Sequence, residues 1–88
     1  MSKRETVEEL LAEENPDALF ADGFDEAIVG ISRRFSHPPL VAYDYDKCIQ
    51  ILIDQGMTPE DAVDYFSYNV IGSWNGSGTP IFIEQVDE

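Results

Sequence analysis

Residues 44–66 read DYDKCIQILIDQGMTPEDAVDYF, and this stretch decides the fold. Tyr45, Cys48, Ile49 and Leu52 fall at i, i+3, i+4 and i+7, and Ile53 widens the stripe, so the first half is a helix with one apolar side. Asp44 or Asp46 can cap its start. Gly56 suits the left-handed geometry at its end. Thr58 then caps a second helix, with Pro59 at the first helical position and Glu60 and Asp61 near the positive end of the dipole. Ala62, Val63, Phe66 and Val70 keep helical spacing toward Ile71, until Gly72 and Asn75-Gly76-Ser77-Gly78 break it. Two short helices with one apolar stripe each form a hairpin, and a hairpin of this kind needs a second layer to cover those stripes.

The flanking sequence supplies that layer as strands. After the turn at Asp22-Gly23, residues Glu26 to Phe35 contain Ala27, Ile28, Val29 and Ile31, a β-favouring run interrupted by Gly30. Ser36-His37-Pro38-Pro39 makes a stiff connection, and Leu40 to Tyr43 reads as a short second strand pairing back on the first. Pro80 to Ile83 reads as a last strand. At the other end, Thr6 and Glu9 have capping-box spacing, Val7, Leu10 and Leu11 give a thin apolar face, and Asn15-Pro16 stops the helix. The expected order is α-β-β-α-α-β in an α+β fold: a small three-stranded antiparallel sheet packed against a helical hairpin. Residues 1–18 are expected as a short, loosely docked helical arm, and residues 19–88 as a single α+β domain.

With 88 residues, the chain has room for one modest core, and 43% hydrophobic content is too apolar for disorder from end to end. Eighteen acidic residues against five basic ones give a formal net charge of -13. Binding nucleic acid phosphates takes clusters of Lys and Arg, and this chain has only Lys3, Arg4, Arg33, Arg34 and Lys47, so direct nucleic acid binding is not expected. A basic protein surface would be steered toward it, although the same charge also serves solubility. Cys48 is the lone cysteine, which excludes an intrachain disulfide, and with His37 as the lone histidine no zinc cluster is expected. No apolar run is long enough to span a bilayer, and a cytoplasmic protein is expected.

Each residue that could carry chemistry has a plainer role. Asp44 and Asp46, two residues apart at a strand-to-helix junction, could hold a metal or work as an acid/base pair with Asp25 or His37, but helix capping accounts for them more simply. Cys48 belongs to an apolar stripe and reads as core. Asn75-Gly76-Ser77-Gly78 is glycine-rich like a phosphate loop, yet it precedes a strand and has no P-loop lysine, so it reads as a turn. Glu60, Asp61 and Asp64 stand near Tyr65 and Tyr68, with Trp74 following. Together with Asp44 and Asp46 they make a candidate partner-binding set, acids around aromatic anchors. No catalytic residue, cofactor or metal site is expected.

An ordered set of short motifs is more specific than any of these. It comprises Asp22-Gly23-Phe24-Asp25-Glu26-Ala27-Ile28-Val29-Gly30, then Tyr43-Asp44, Gly56-Met57-Thr58-Pro59-Glu60-Asp61-Ala62, Tyr65-Phe66, Asn69, Gly72 and Thr79-Pro80. Over roughly residues 20 to 84 the chain resembles a family of small, uncharacterised acidic proteins of bacteriophages and prophages. The resemblance implies a phage setting and no chemistry. The expectation is an accessory protein that binds a host or defence protein through an acidic face, as a nucleic-acid mimic in its sharpest form. A self-associating structural protein, for instance a homodimer, and a metal-dependent enzyme are the alternatives.

Overall fold

The computed structural model describes residues 2–73 and 76–86, and strand β2, His37–Asp44, runs through its centre. On one side β2 pairs antiparallel with β1, Ile28–Arg34; on the other it pairs with β3, Ile81–Ile83, giving the order β1-β2-β3. The pairing of β3 corrects the all-antiparallel expectation, because Ala42, Tyr43 and Asp44 lie opposite Ile81, Phe82 and Ile83 in parallel register. The cause is the connection. The chain leaves β2 directly into helix α2, Tyr45–Asp54, and then helix α3, Pro59–Phe66, and this two-helix crossover returns it to run beside β2 in the same direction. The architecture is therefore α+β with a mixed sheet.

Strand boundaries also move. Asp25–Ala27 forms one 3-10 turn before β1, so β1 begins at Ile28 instead of Glu26. Strand β2 begins at His37 instead of Leu40 and includes the two prolines expected in the connection. Proline is tolerated there for two reasons: β3 pairs only with residues 42–44, and the β1–β2 register shifts between Ser32 and Arg34, where a missing N–H disturbs the ladder least. The hairpin turn shrinks to Phe35-Ser36, with Ser36 at φ 65. A single left-handed residue reverses the chain there, next to the register shift between Ser32 and Arg34.

The helix starts follow the capping chemistry. The Lys47 N–H donates to Asp44 Oδ1 at 3.1 Å, and the Asp61 N–H donates to Thr58 Oγ1 at 3.1 Å, so Asp44 and Thr58 open α2 and α3. Between them Gly56 takes φ 110. Cys48, Ile49 and Leu52 of α2 and Ala62 and Phe66 of α3 are buried, whereas Val63 is exposed, which narrows the expected stripe. Helix α1, Lys3–Glu14, starts one turn earlier than expected. Ser2 and Glu5 form its capping box, and Thr6 instead donates its hydroxyl to the Ser2 carbonyl from inside the helix. Both pairs have the capping spacing, and the earlier start adds a turn that brings Arg4 onto Asp25 at 2.7 Å and over the Phe20 ring at 4.0 Å.

The core gathers around Phe66. Its ring meets Phe24 at 5.3 Å, Tyr45 at 5.7 Å and Phe82 at 5.1 Å, all edge to face, while Phe82 stacks on Tyr43 at 5.4 Å. The N-terminal arm reaches this core through Val7 and Leu11, 4% and 2% exposed. At the end of α1 the buried Asn15 donates from Nδ2 to the Pro39 carbonyl at 2.8 Å, tying the arm to β2. Leu11→Ala should lower unfolding free energy in urea by about 2–5 kcal/mol, through lost burial and the cavity left behind. Asn15→Ala should cost about 1–3 kcal/mol by leaving the Pro39 carbonyl unpaired. If neither change moves the urea midpoint, the arm contributes nothing to global stability.

Candidate protein-binding face

Ala62 and Phe66 fix which side of α3 faces in, and helical spacing then fixes what faces out. Glu60 and Asp64 are one turn apart, as are Asp61 and Tyr65, and all are exposed. Beyond Phe66 the helix widens into a π-helical turn, Ser67–Ile71, which carries Tyr68 at 81% exposure and none of whose residues is buried. Tyr65 is 44% exposed. Five of the expected partner-binding residues, Glu60, Asp61, Asp64, Tyr65 and Tyr68, therefore share one outward stretch.

Asp44 and Asp46 come from the other helix. The Tyr45 ring between them meets Phe66, so the start of α2 sits beside the end of α3. The Asp44 carboxylate is taken up by the Lys47 amide, while Asp46 is exposed in the first turn of α2. Trp74, like Asn75, Asp87 and Glu88, lies outside the described residues.

The charge is divided between two halves of the chain. Seven acidic residues and no lysine or arginine follow Lys47. Four of the five basic residues lie on α1 and β1, and two of these are engaged there: Arg4 with Glu8 at 3.0 Å and Asp25 at 2.7 Å, and Arg33 with Glu14 through both nitrogens at 2.6 and 2.7 Å. Paired in this way, Glu14 is held below the usual carboxylate range by the Arg33 hydrogen bonds. The α3 face thus has no basic residue of its own helix to neutralise it.

Beside this face lies a groove of about 550 Å³ between residues 19–24, the π turn and residues 79–82. Phe24, Val70 and Phe82 give it an apolar floor, and Asp22, Tyr65 and Asn69 stand on its lining. Its walls are fixed by three hydrogen bonds that each involve a backbone group. The Leu19 N–H donates to the Gly78 carbonyl at 2.9 Å, the Ala21 N–H donates to the Tyr43 hydroxyl at 2.8 Å, and Asn69 Nδ2 donates to the Tyr65 carbonyl at 3.1 Å. Gly78 is needed there because a Cβ would run into the Asp17 carbonyl oxygen. The groove escaped sequence reading. Residues 19–24 have no periodicity, and the π turn leaves a single trace, Gly72, whose Cβ would stand 2.9 Å from the Ser67 carbonyl.

The remaining chemical candidates do not converge. His37 is exposed at the start of β2, Asp25 is paired with Arg4, and among the described residues no group of three or more His, Cys, Asp or Glu is placed to hold a metal ion. The segment Gly76-Ser77-Gly78 turns the chain, with Thr79 donating from its N–H and its hydroxyl to the Gly76 carbonyl. No described helix is long and apolar enough to cross a membrane. No protein-family model, curated protein or solved structure matches the chain.

Cys48 is fully buried, and burial pushes its thiol from 9.0 up to about 12, with the Asp44 charge adding to the shift. Tyr43 is raised in the same direction, chiefly by burial. A thiol whose pKa is raised by folding keeps its proton in the native state after the unfolded chain has lost it. Stability is then undiminished below pH 9 and falls as pH rises from about 9 toward about 12. Urea titrations across this interval should show that fall, with a shallower slope in Cys48→Ala. A native thiol that reacts with a disulfide reagent at pH 8 as fast as the unfolded chain would contradict the buried assignment.

Proposed function

We propose that this chain is a small acidic binding protein that covers a basic surface of a host or defence protein. The observation that carries the reading is the outward stretch of α3 and its π turn, where Glu60, Asp61 and Asp64 surround Tyr65 and Tyr68 with no cation from residues after Lys47. Exposed tyrosines inside a field of one sign supply anchors of the kind that dominate interface energy, and the field speeds encounter with a basic partner. The resemblance of residues 20–84 to phage and prophage proteins points to a bacterial partner. In its sharpest form the protein is a nucleic-acid mimic, its carboxylates standing where phosphates would.

The test is capture of proteins from bacterial lysate at low salt on the immobilised chain, beside a variant with Glu60→Gln, Asp61→Asn and Asp64→Asn. One basic protein should be retained, released by high salt, displaced by added DNA, and lost on the variant. Retention that ignores both salt and the variant, or an empty capture at both salts, would overturn the proposal.

A further inference from the structure

The groove beside α3 has a composition that the acidic face alone does not account for. Its floor of Phe24, Val70 and Phe82 is apolar, its lining includes Asp22, and no lysine or arginine is among the residues that form it. Its volume of about 550 Å³ lies within the range of side-chain and small-ligand pockets. Tyr65 belongs both to the groove and to the exposed face, so an occupant of one borders the other.

The chemistry narrows the occupant. Among the described lining residues an anion would find no cationic donor, since Arg4 behind the Phe20 ring is paired with Glu8 and Asp25, and a metal ion would find a single carboxylate, Asp22. A second copy of the chain would bring another charge of -13 against the first. A basic segment carrying a bulky apolar side chain satisfies both parts: the side chain leaves water on Phe24, Val70 and Phe82, while its flanking cations meet Asp22 and the acids of α3. We infer that the groove receives a large apolar side chain presented by a basic segment of the partner, a step that rests on the acidic-face reading above. The π turn supports the geometry, since it carries Asn69 and Val70 to the groove next to Tyr65.

Two synthetic peptides of equal length and charge test this, one with Arg and Lys around a central Leu-Phe pair and one with that pair replaced by Ser-Ser. Each is titrated into the isotope-labelled chain at low salt and followed by amide chemical shifts. The Leu-Phe peptide should shift amides of residues 19–24, 69–70 and 82 as well as 60–64, and bind about tenfold tighter than the Ser-Ser peptide, the worth of one aromatic anchor. Val70→Ala, on the groove floor and outside the acidic face, should reduce that advantage and leave the Ser-Ser affinity unchanged. Asp22→Lys, at an exposed turn position, should weaken the Leu-Phe peptide without touching the core. Equal affinities with shifts confined to 60–64 would overturn the groove assignment and leave the acidic face standing. Shifts centred on Val7, Leu10 and Val29 would overturn it in favour of the α1–β1 side, and binding by neither peptide would remove both readings.

Discussion

The ring of Phe66 is the contact on which the rest of the structure depends. It joins the residue 19–24 segment through Phe24, α2 through Tyr45 and β3 through Phe82, so one side chain links three parts of the chain that are otherwise remote in sequence. In so small a domain the core cannot be enlarged by adding layers, and stability rests on a few large rings packed edge to face. The same ring fixes the rotation of α3. With Phe66 and Ala62 pointing inward, Glu60, Asp61, Asp64 and Tyr65 have nowhere to go but outward. Core packing and the presentation of the candidate face are thus one constraint seen from two sides.

The helices were legible in the sequence because their signals are local. Thr58, Pro59 and the apolar spacing of α3, and Asp44 with the stripe of α2, each act within one turn of chain. What was not legible depends on distant partners. Whether β3 runs parallel or antiparallel is set by where the two-helix crossover delivers it, and Pro80 to Ile83 has no residue that encodes that direction. The prolines of β2 read as a break because local rules assume a ladder on both sides, whereas here β3 covers only residues 42–44. The start of α1 was ambiguous for a different reason. Ser2-Glu5 and Thr6-Glu9 satisfy the same capping rule, and the choice falls to contacts of Arg4 with Asp25 and Phe20 that no local rule contains.

The candidate face was legible to the same extent as α3 itself. Its acids and Tyr65 follow from helical spacing, but Tyr68 is carried by a π turn that periodicity does not announce, and the groove is made from residues 19–24, 65–73 and 79–82, far apart in the chain. Asp44 was read in two ways, as cap and as part of the face, and its carboxylate on the Lys47 amide answers for the first. Asp46 alone of that pair remains free of a capping bond.

The division of charge has a physical logic of its own. A net charge of -13 on a chain of this size favours expansion, and ion pairs that join separate elements counter it locally. Helix α1 buries Val7 and Leu11, and it is on this helix that Arg4 and Glu14 make their pairs with Asp25 and Arg33. Each pair is exposed and individually weak, but each also brings a cation to a neighbourhood rich in Glu5, Glu8, Glu9, Glu13 and Glu14. Helix α3 likewise buries two residues, Ala62 and Phe66, but carries no lysine or arginine, so its carboxylates are not neutralised from within the helix. The acidic face is therefore carried by a helix docked through apolar contacts, while the cations join α1 to β1 and to the 3-10 turn before it.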